Sequence, residues 1–426
     1  MTNELAIFGG KKAVPDGTVK PWPPIDRSDR EAVLASLEGG NHTYGPNCTA
    51  LERELAEWNG NKFAINTNSG TAALHMAVAA CGCGAGDRVI VPAYSWSSSA
   101  TCVIHHNAIP VFVDVDFDTM CIDIDRIEAA VTPTTKAIIV VHLHGLAVDM
   151  ERIMAIARKR GLKVIEDACQ AHGAAWKGRK AGTWGDCAAF SFNQNKCLCG
   201  GEGGALLTDN EEIYEAARSV WSFGETRSPV QKRDYHAYAL GWMYRSNDLS
   251  AAFARAQLAK LDSYLRTQRE NAAVLLEELK GTPHLIAPSE PRGCAHNWYN
   301  FTCRIDSDAA RLGGERSRLR DAVMRALNEE GVPVGVWQSF ILPAMTVFQA
   351  KNAYGRGCPW SCPGAEDVDY DPTRFPIAQR HTDTHFGMTT PLRAPNGPEA
   401  AKAIAAGIRK VFENLDRIDP DDILGR

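Results

Sequence analysis

One lysine in a polar turn is the first residue whose surroundings suggest chemistry. It closes the run Phe190-Ser191-Phe192-Asn193-Gln194-Asn195-Lys196, and Gly200-Gly201-Glu202-Gly203-Gly204 comes next. Glycines in that position let a backbone fold closely around a ligand. Taken alone, a surface lysine beside a flexible loop would look the same. Upstream, an apolar run ends in Asp167-Ala168-Cys169-Gln170. An acid at the C-terminal end of a parallel strand points into the crevice where ligands bind, and an Asp there can hold a protonated ring nitrogen. The alternative is a carboxylate that caps the next helix.

Two further groups precede these. Ser69-Gly70-Thr71 lies between an apolar run and a helical pattern, where free N–H groups and the positive end of the helix dipole can cradle a phosphate. A plain N-cap would read the same way. Trp96, in Pro92-Ala93-Tyr94-Ser95-Trp96-Ser97, could stack on a flat ring or be buried in the core.

Positioning these groups requires strands that end at one edge of one sheet. The spacing predicts strands over 63–67, 88–91, 109–113, 137–141, 163–166, 188–192 and 205–208, with helices such as 71–80 and 150–160 between them. That alternation implies an α/β fold with a mostly parallel seven-stranded sheet covered by helices on both faces. The organisation expected is an N-terminal segment over 1–25, a large lobe over 26–247, a linking helix over 248–279 and a smaller α+β lobe over 280–426. The small lobe is expected to hold strands at 298–305 and 332–337, and helices at 315–330 and 398–415. Residues 348–380 show no period. Their Tyr354, Trp360, Tyr370 and Arg374 suit either a sugar-like ring or a surface or dimer-packing insertion.

The 426 residues, 45% of them hydrophobic, can bury a large core and exclude a disordered or disulfide-stapled chain. Lys and Arg total 46 against 51 Asp and Glu, interspersed, which argues against nucleic-acid or anionic-membrane partners. The apolar runs fall far short of a membrane span, and the N-terminus lacks the basic and apolar regions of a secretion signal. Thirteen scattered cysteines then read as reduced thiols of a cytoplasmic protein. Cys169 and Cys197 flank the acid and the lysine, which marks them for tests of oxidation or alkylation.

A phosphate cradle, an aromatic plate, an acid and a lysine occur in that order, each after a strand. With Thr43-Tyr44-Gly45-Pro46, Val141-His142-Leu143-His144-Gly145 and Gly201-Glu202-Gly203-Gly204, the set resembles the DegT/DnrJ/EryC1/StrS sugar and aminocyclitol aminotransferases over about 22–417. The resemblance implies fold type I, pyridoxal 5'-phosphate as cofactor, an amino-acid donor (glutamine or glutamate) and a keto sugar or keto cyclitol acceptor, in antibiotic-type biosynthesis. It implies Lys196 as the Schiff-base lysine, Asp167 on the pyridine nitrogen, Trp96 against the ring and Gln170 near the 3-hydroxyl. Ser69, Gly70, Thr71 and Ser191 would hold the phosphate, in a homodimer with shared sites. One departure stands out. The family's G-x-N-x-R segment, which reaches the neighbouring cofactor, reads Gly241-Trp242-Met243-Tyr244-Arg245. Met243 cannot donate a hydrogen bond, so that contact would fall to Arg245 or to another group.

Within the cofactor class, a sugar dehydratase would carry His where Lys196 stands, whereas a 3-amino-5-hydroxybenzoate synthase would retain the lysine. A non-catalytic sensor would not need Lys196, Asp167 and Ser191 together. Gly82-Cys83-Gly84-Ala85-Gly86 lacks the order of a dinucleotide turn. His381 and His385 have zinc-helix spacing, but Thr382 stands where the motif needs Glu, and Thr382 and Thr384 suggest a loop. No metal is expected. His142 and His144 read as structural or substrate-lining.

Overall fold

In the computed structural model, which describes residues 4–225, 235–306, 315–362 and 368–425, seven short apolar runs pair into one sheet. They are β1 (Phe63–Thr67), β2 (Arg88–Pro92), β3 (Ile109–Val113), β4 (Thr135–Val141), β5 (Lys163–Asp167), β6 (Cys187–Ser191) and β7 (Gly204–Thr208). Their spatial order is β1-β7-β6-β5-β4-β2-β3. The pairs from β6 across to β3 are parallel, and β7 runs antiparallel to both β1 and β6. Ile138, Ile139 and Val140 are wholly buried, as a parallel sheet covered on both faces requires. Helix Gly70–Ala80, buried along most of its length, lies against β6 and β7.

A second core lies towards the C-terminus. Leu285–Ile286, Phe301–Ile305 and His385–Met388 form a three-stranded sheet, and helices Arg316–Glu329 and Pro398–Phe412 pack Val323, Ile404, Ile408 and Phe412 around Phe301 and Phe386. The N-terminal segment joins this core through Leu5 and Val14. Glu330, fully buried, holds it there by accepting from the N–H groups of Ala6 (2.7 Å) and Ala13 (2.9 Å) while pairing with Lys410 (2.8 Å).

Four local expectations change. The helix expected over 248–279 is two, Asp248–Leu258 and Leu261–Glu278. They break at Lys260, whose ammonium is drawn to Asp26 (3.1 Å) and Asp29 (2.7 Å). The strand expected at 298–305 starts only at Phe301, because Trp298 has φ +61°. Residues 332–337 form no strand beyond a single bridge, Gly335 to Gly387; Pro333 has no N–H to give. His381 lies in helix Pro376–Thr384, with His385 stacked on it at 4.4 Å. The hydroxyls of Thr382 and Thr384 bond back to the carbonyls of Gln379 (2.7 Å) and Arg380 (2.8 Å), and Asp114 caps the helix start through Ile377 N and Ala378 N. Thr propensity is overridden by these contacts.

Strand β5 ends in two adjacent carboxylates. Side chains alternate across a strand, so Glu166 and Asp167 face opposite ways. Glu166 is fully buried and accepts from His142 Nε2 (2.8 Å) and from the N–H groups of Gly182, Trp184 and Gly185 (2.7 Å each). Burial alone would raise its pKa, but His142 and those N–H groups hold it below the ordinary glutamate value. A lowered pKa adds stability above roughly pH 4.3 and loses it as pH falls through the folded value. Glu166→Gln should therefore cost about 3 kcal/mol at neutral pH, with the difference from wild type shrinking in acid. Urea midpoints at pH 7 and in acid check this, and equal midpoints at pH 7 would contradict it.

Candidate active site

At the C-terminal edge of the parallel strands opens a cavity of about 940 Å³. Eight residues singled out from sequence line it: Ser69, Gly70, Thr71, Trp96, Asp167, Gln170, Ser191 and Lys196. Arg245 does not.

Asp167 ends β5 and is 5% exposed. Its Oδ2 accepts from Ser99 Oγ (2.7 Å) and its Oδ1 from Cys169 N (3.2 Å). Ser95 Oγ lies 2.7 Å behind Ser99 Oγ. No helix comes after it, only turns over 169–174, so the capping alternative does not account for this carboxylate. Two bonds leave acceptor capacity on a buried anion, which a cationic N–H in the cavity would satisfy.

Across from it, Ser69 caps helix Gly70–Ala80 by accepting from Ala72 N at 3.1 Å. The first turn carries the partial positive charge of the helix and faces the cavity through Gly70 and Thr71. Glycine is required at 70 because a Cβ there would sit 2.7 Å from Ser191 Cβ and 2.8 Å from Cys169 Sγ. β1 and β6 thus bring Ser69 to Thr71 and Ser191 within contact of each other. Gln170 Oε1 accepts from His144 N (2.7 Å), which leaves its amide N–H groups for the cavity. Trp96 stands at the mouth, half exposed, tilted against Trp337 at 6.3 Å.

Lys196 comes from a turn folded back on the glycine run. Gln194 N donates to Gly201 O (3.0 Å), Gly200 N to Phe192 O (2.7 Å) and Lys196 N to Asn193 O (2.8 Å). Gly201 has φ +81°, a left-handed conformation that favours glycine. The lysine Nζ donates to Tyr299 Oη at 3.4 Å and lies 4.7 Å from the centre of that ring. Sequence reasoning missed Tyr299 as a site residue. Within a strand it looks like core, and only the left-handed Trp298 turns it onto the lysine. Asn300, Trp337, Thr389 and Thr390 complete the wall from the small lobe, and Lys20 from the N-terminal segment.

Charge in this wall is set by burial. His172, behind Lys196, is pushed down to about 3 by burial and by the Lys196 and Arg393 charges. Burial, then Asp167, pushes the Cys169 thiol well up, and burial raises Cys197. Both shifts favour the neutral thiol at the two positions marked for oxidation and alkylation tests.

The aromatic stretch before Arg380 lies elsewhere. Tyr370 Oη donates to Pro110 O (2.8 Å), Trp360 Nε1 to Tyr370 Oη (3.0 Å) and Tyr354 Oη to Ile104 O (2.8 Å), while Arg374 pairs with Asp369. These side chains pack the insertion onto β3 and its neighbouring helix, not into the cavity. Residues 363–367 of that stretch lie outside the described residues. Met243, half exposed, and Arg245 run beside β1, with Asn68 N donating to Tyr244 O (2.8 Å) and Arg245 bridging Thr67.

A family model for the DegT/DnrJ/EryC1/StrS aminotransferase family matches residues 23–386. The chain belongs to that family. It is a pyridoxal-phosphate-dependent aminotransferase of fold type I. Among its relatives, L-glutamine:2-deoxy-scyllo-inosose aminotransferase of Streptomyces kanamyceticus is 34% identical over 370 residues, 82% of this chain and 84% of the relative. The crystal structure of 3-amino-5-hydroxybenzoic acid synthase superposes with a TM-score of 0.82 at 30% identity, covering 94% of this chain and all of the other. Spr1654 from Streptococcus pneumoniae in its PLP-form shares the fold, with a TM-score of 0.80 at 23% identity over 93% and 99% of the two chains.

The cavity of this aminotransferase tests the fit of the cofactor directly. A helix start, a buried carboxylate whose two oxygens each accept one bond, and a lysine open onto one space. If that helix start takes the phosphate, Gly70→Ala must displace Ser191 or Cys169. Titration of the apoprotein with pyridoxal phosphate should then show affinity at least about tenfold weaker, the scale of a misplaced contact. Unchanged affinity would move the phosphate elsewhere.

Proposed function

We propose that this enzyme moves the amino group of glutamine or glutamate onto a keto cyclitol or keto sugar, in two half-reactions at this one cavity. The observation that carries the reading is that Lys196 and Asp167 open onto the same space as the Ser69-to-Thr71 helix start. Bound pyridoxal phosphate supplies an aldehyde and a ring that takes up negative charge from the carbon next to the nitrogen. Lys196 serves first as covalent anchor. When not bonded to the cofactor, its Nζ amine would be placed to take a proton from the donor's α-carbon and give it back, as general base and acid. Asp167 holds the proton on the ring nitrogen, steadied by Ser99 and Cys169 N. Ser69, Gly70, Thr71 and Ser191 take the phosphate, Gln170 the 3-hydroxyl, and Trp96 covers the ring.

The acceptor is read from the outer wall. Among the described lining residues, Lys20 and Lys196 are the only Lys or Arg, whereas Asn193, Asn195, Asn300, Thr389 and Thr390 offer amide and hydroxyl groups. Such a wall suits a neutral, hydroxylated ring better than a diphosphate-linked sugar, and the name of the Streptomyces kanamyceticus relative, a 2-deoxy-scyllo-inosose aminotransferase, supports a cyclitol. Lys196 argues against a dehydratase. An aromatic product of the 3-amino-5-hydroxybenzoate type is the second reading, on the likeness to that synthase.

A homodimer fits the exposed apolar side chains near the cavity's side of the sheet: Tyr238 and Leu240 are 61% and 77% exposed, with Trp96 and Met243 half exposed. In that arrangement Arg245 serves the cofactor of the second copy. No helix among the described residues is long and apolar enough to cross a membrane, and thirteen free thiols support a cytoplasmic location.

Mixing the enzyme with glutamine or glutamate should convert the aldehyde cofactor to its aminated form. Asp167→Ala should retain cofactor yet lose at least about 100-fold in that rate, because the ring no longer takes up charge. Lys196→Ala turning over normally would defeat the reading.

A further inference from the structure

The turn bearing Lys196 has no helix or strand of its own, so something else must fix it. Three successive carbonyls of this turn are bonded by two side chains from outside the sheet. Trp22 Nε1 donates to Gln194 O (3.1 Å) and Lys196 O (3.2 Å), and Arg393 Nη1 donates to Asn195 O (2.8 Å). Arg393 Nη2 reaches Tyr299 O (3.0 Å), on the residue whose hydroxyl and ring lie against the lysine Nζ. The guanidinium stacks 5.1 Å from the Trp22 ring and 5.3 Å from the Tyr299 ring.

Both side chains are held in their turn. Arg393 is fully buried and Trp22 is 8% exposed. The two segments that supply them are tied together, since Lys20 N donates to Asn396 Oδ1 (2.7 Å) and Asn396 Nδ2 to Lys20 O (3.3 Å). Asn271 Nδ2 fixes the Arg393 loop through Leu392 O (2.8 Å) and Asn396 O (2.9 Å). Among the described residues no carboxylate pairs with Arg393. A buried cation bonded only to carbonyls gains little for stability; what its planar, forked donors supply is geometry.

We propose that Trp22 and Arg393 form a clamp that sets the position of Lys196 and Tyr299 relative to each other and to the cavity. They are positioning residues, acting through the turn's backbone and touching neither donor nor acceptor. The proposal rests on Lys196 being the covalent anchor. The clamp joins the N-terminal segment and the small lobe to the lysine, so the lysine's alignment depends on parts of the chain far from it in sequence.

The test separates covalent from non-covalent cofactor binding. Apoprotein is mixed with pyridoxal phosphate, which can bond to Lys196, and separately with pyridoxamine phosphate, which cannot. Arg393→Met should slow formation of the borohydride-sensitive absorbance band about 10- to 100-fold, the cost of an ångström-scale misplacement. Its affinity for pyridoxamine phosphate should stay within about twofold, because the phosphate cradle is untouched. Arg393→Lys should recover part of the rate, and Trp22→Phe, which keeps the stacked ring and loses the N–H, should fall between. A rate equal to wild type in Arg393→Met and Trp22→Phe would overturn the clamp. So would an equal loss for both cofactor forms, the mark of a merely structural role. A wild-type protein that forms no borohydride-sensitive bond at Lys196 would instead fail the reading of the lysine, and the clamp with it.

Discussion

Strand β5 takes two adjacent carboxylates out of water on opposite faces of one sheet. A buried charge is tolerated only where its oxygens are bonded. Glu166 meets that demand completely, through His142 and three backbone N–H groups. It thereby fixes the 182–185 turn and the end of β4 against the strand. Asp167, one residue on, meets it only in part, through Ser99 and Cys169 N. The first carboxylate closes the back of the strand and the second remains to be satisfied from the cavity.

Around this strand the chemistry is spread over parts of the chain that share no local structure. The ends of β1 and β6 present the Ser69–Thr71 helix start and Ser191, a loop after β6 presents Lys196, and the small lobe presents Tyr299 and the outer wall. Burial also decides what the cysteines do. For those nearest the site, Cys169 and Cys197, desolvation raises the thiol pKa and favours the neutral form beside the lysine.

Much of this architecture is legible in sequence because it is local. The runs over 63–67 and 109–113 become strands with those bounds, each with four of its five residues buried between turns, which admits few alternatives. Ser69-Gly70-Thr71, Asp167 and Lys196 lie at or just beyond the C-terminal ends of β1, β5 and β6, and those strands run in one direction, which carries their ends to one edge. Long-range contacts are not legible in that way. The break at Lys260 depends on Asp26 and Asp29, more than 200 residues away; the helix holding His381 is capped by Asp114; and Tyr299 faces the lysine because Trp298 is left-handed. The aromatic insertion, which as a sequence suits either a sugar-like ring or a packing insertion, packs on β3, where Tyr370 finds the Pro110 carbonyl.

The central claim is that Lys196, and no other residue of this chain, bonds the cofactor. Borohydride reduction of the holoenzyme, followed by proteolysis and mass spectrometry, identifies the bonded residue. The expected result is the reduced cofactor on the peptide containing Lys196 and on no other lysine. A label on Lys20, which also lines the cavity, or an unlabelled Lys196 peptide from enzyme that still transaminates, would contradict it.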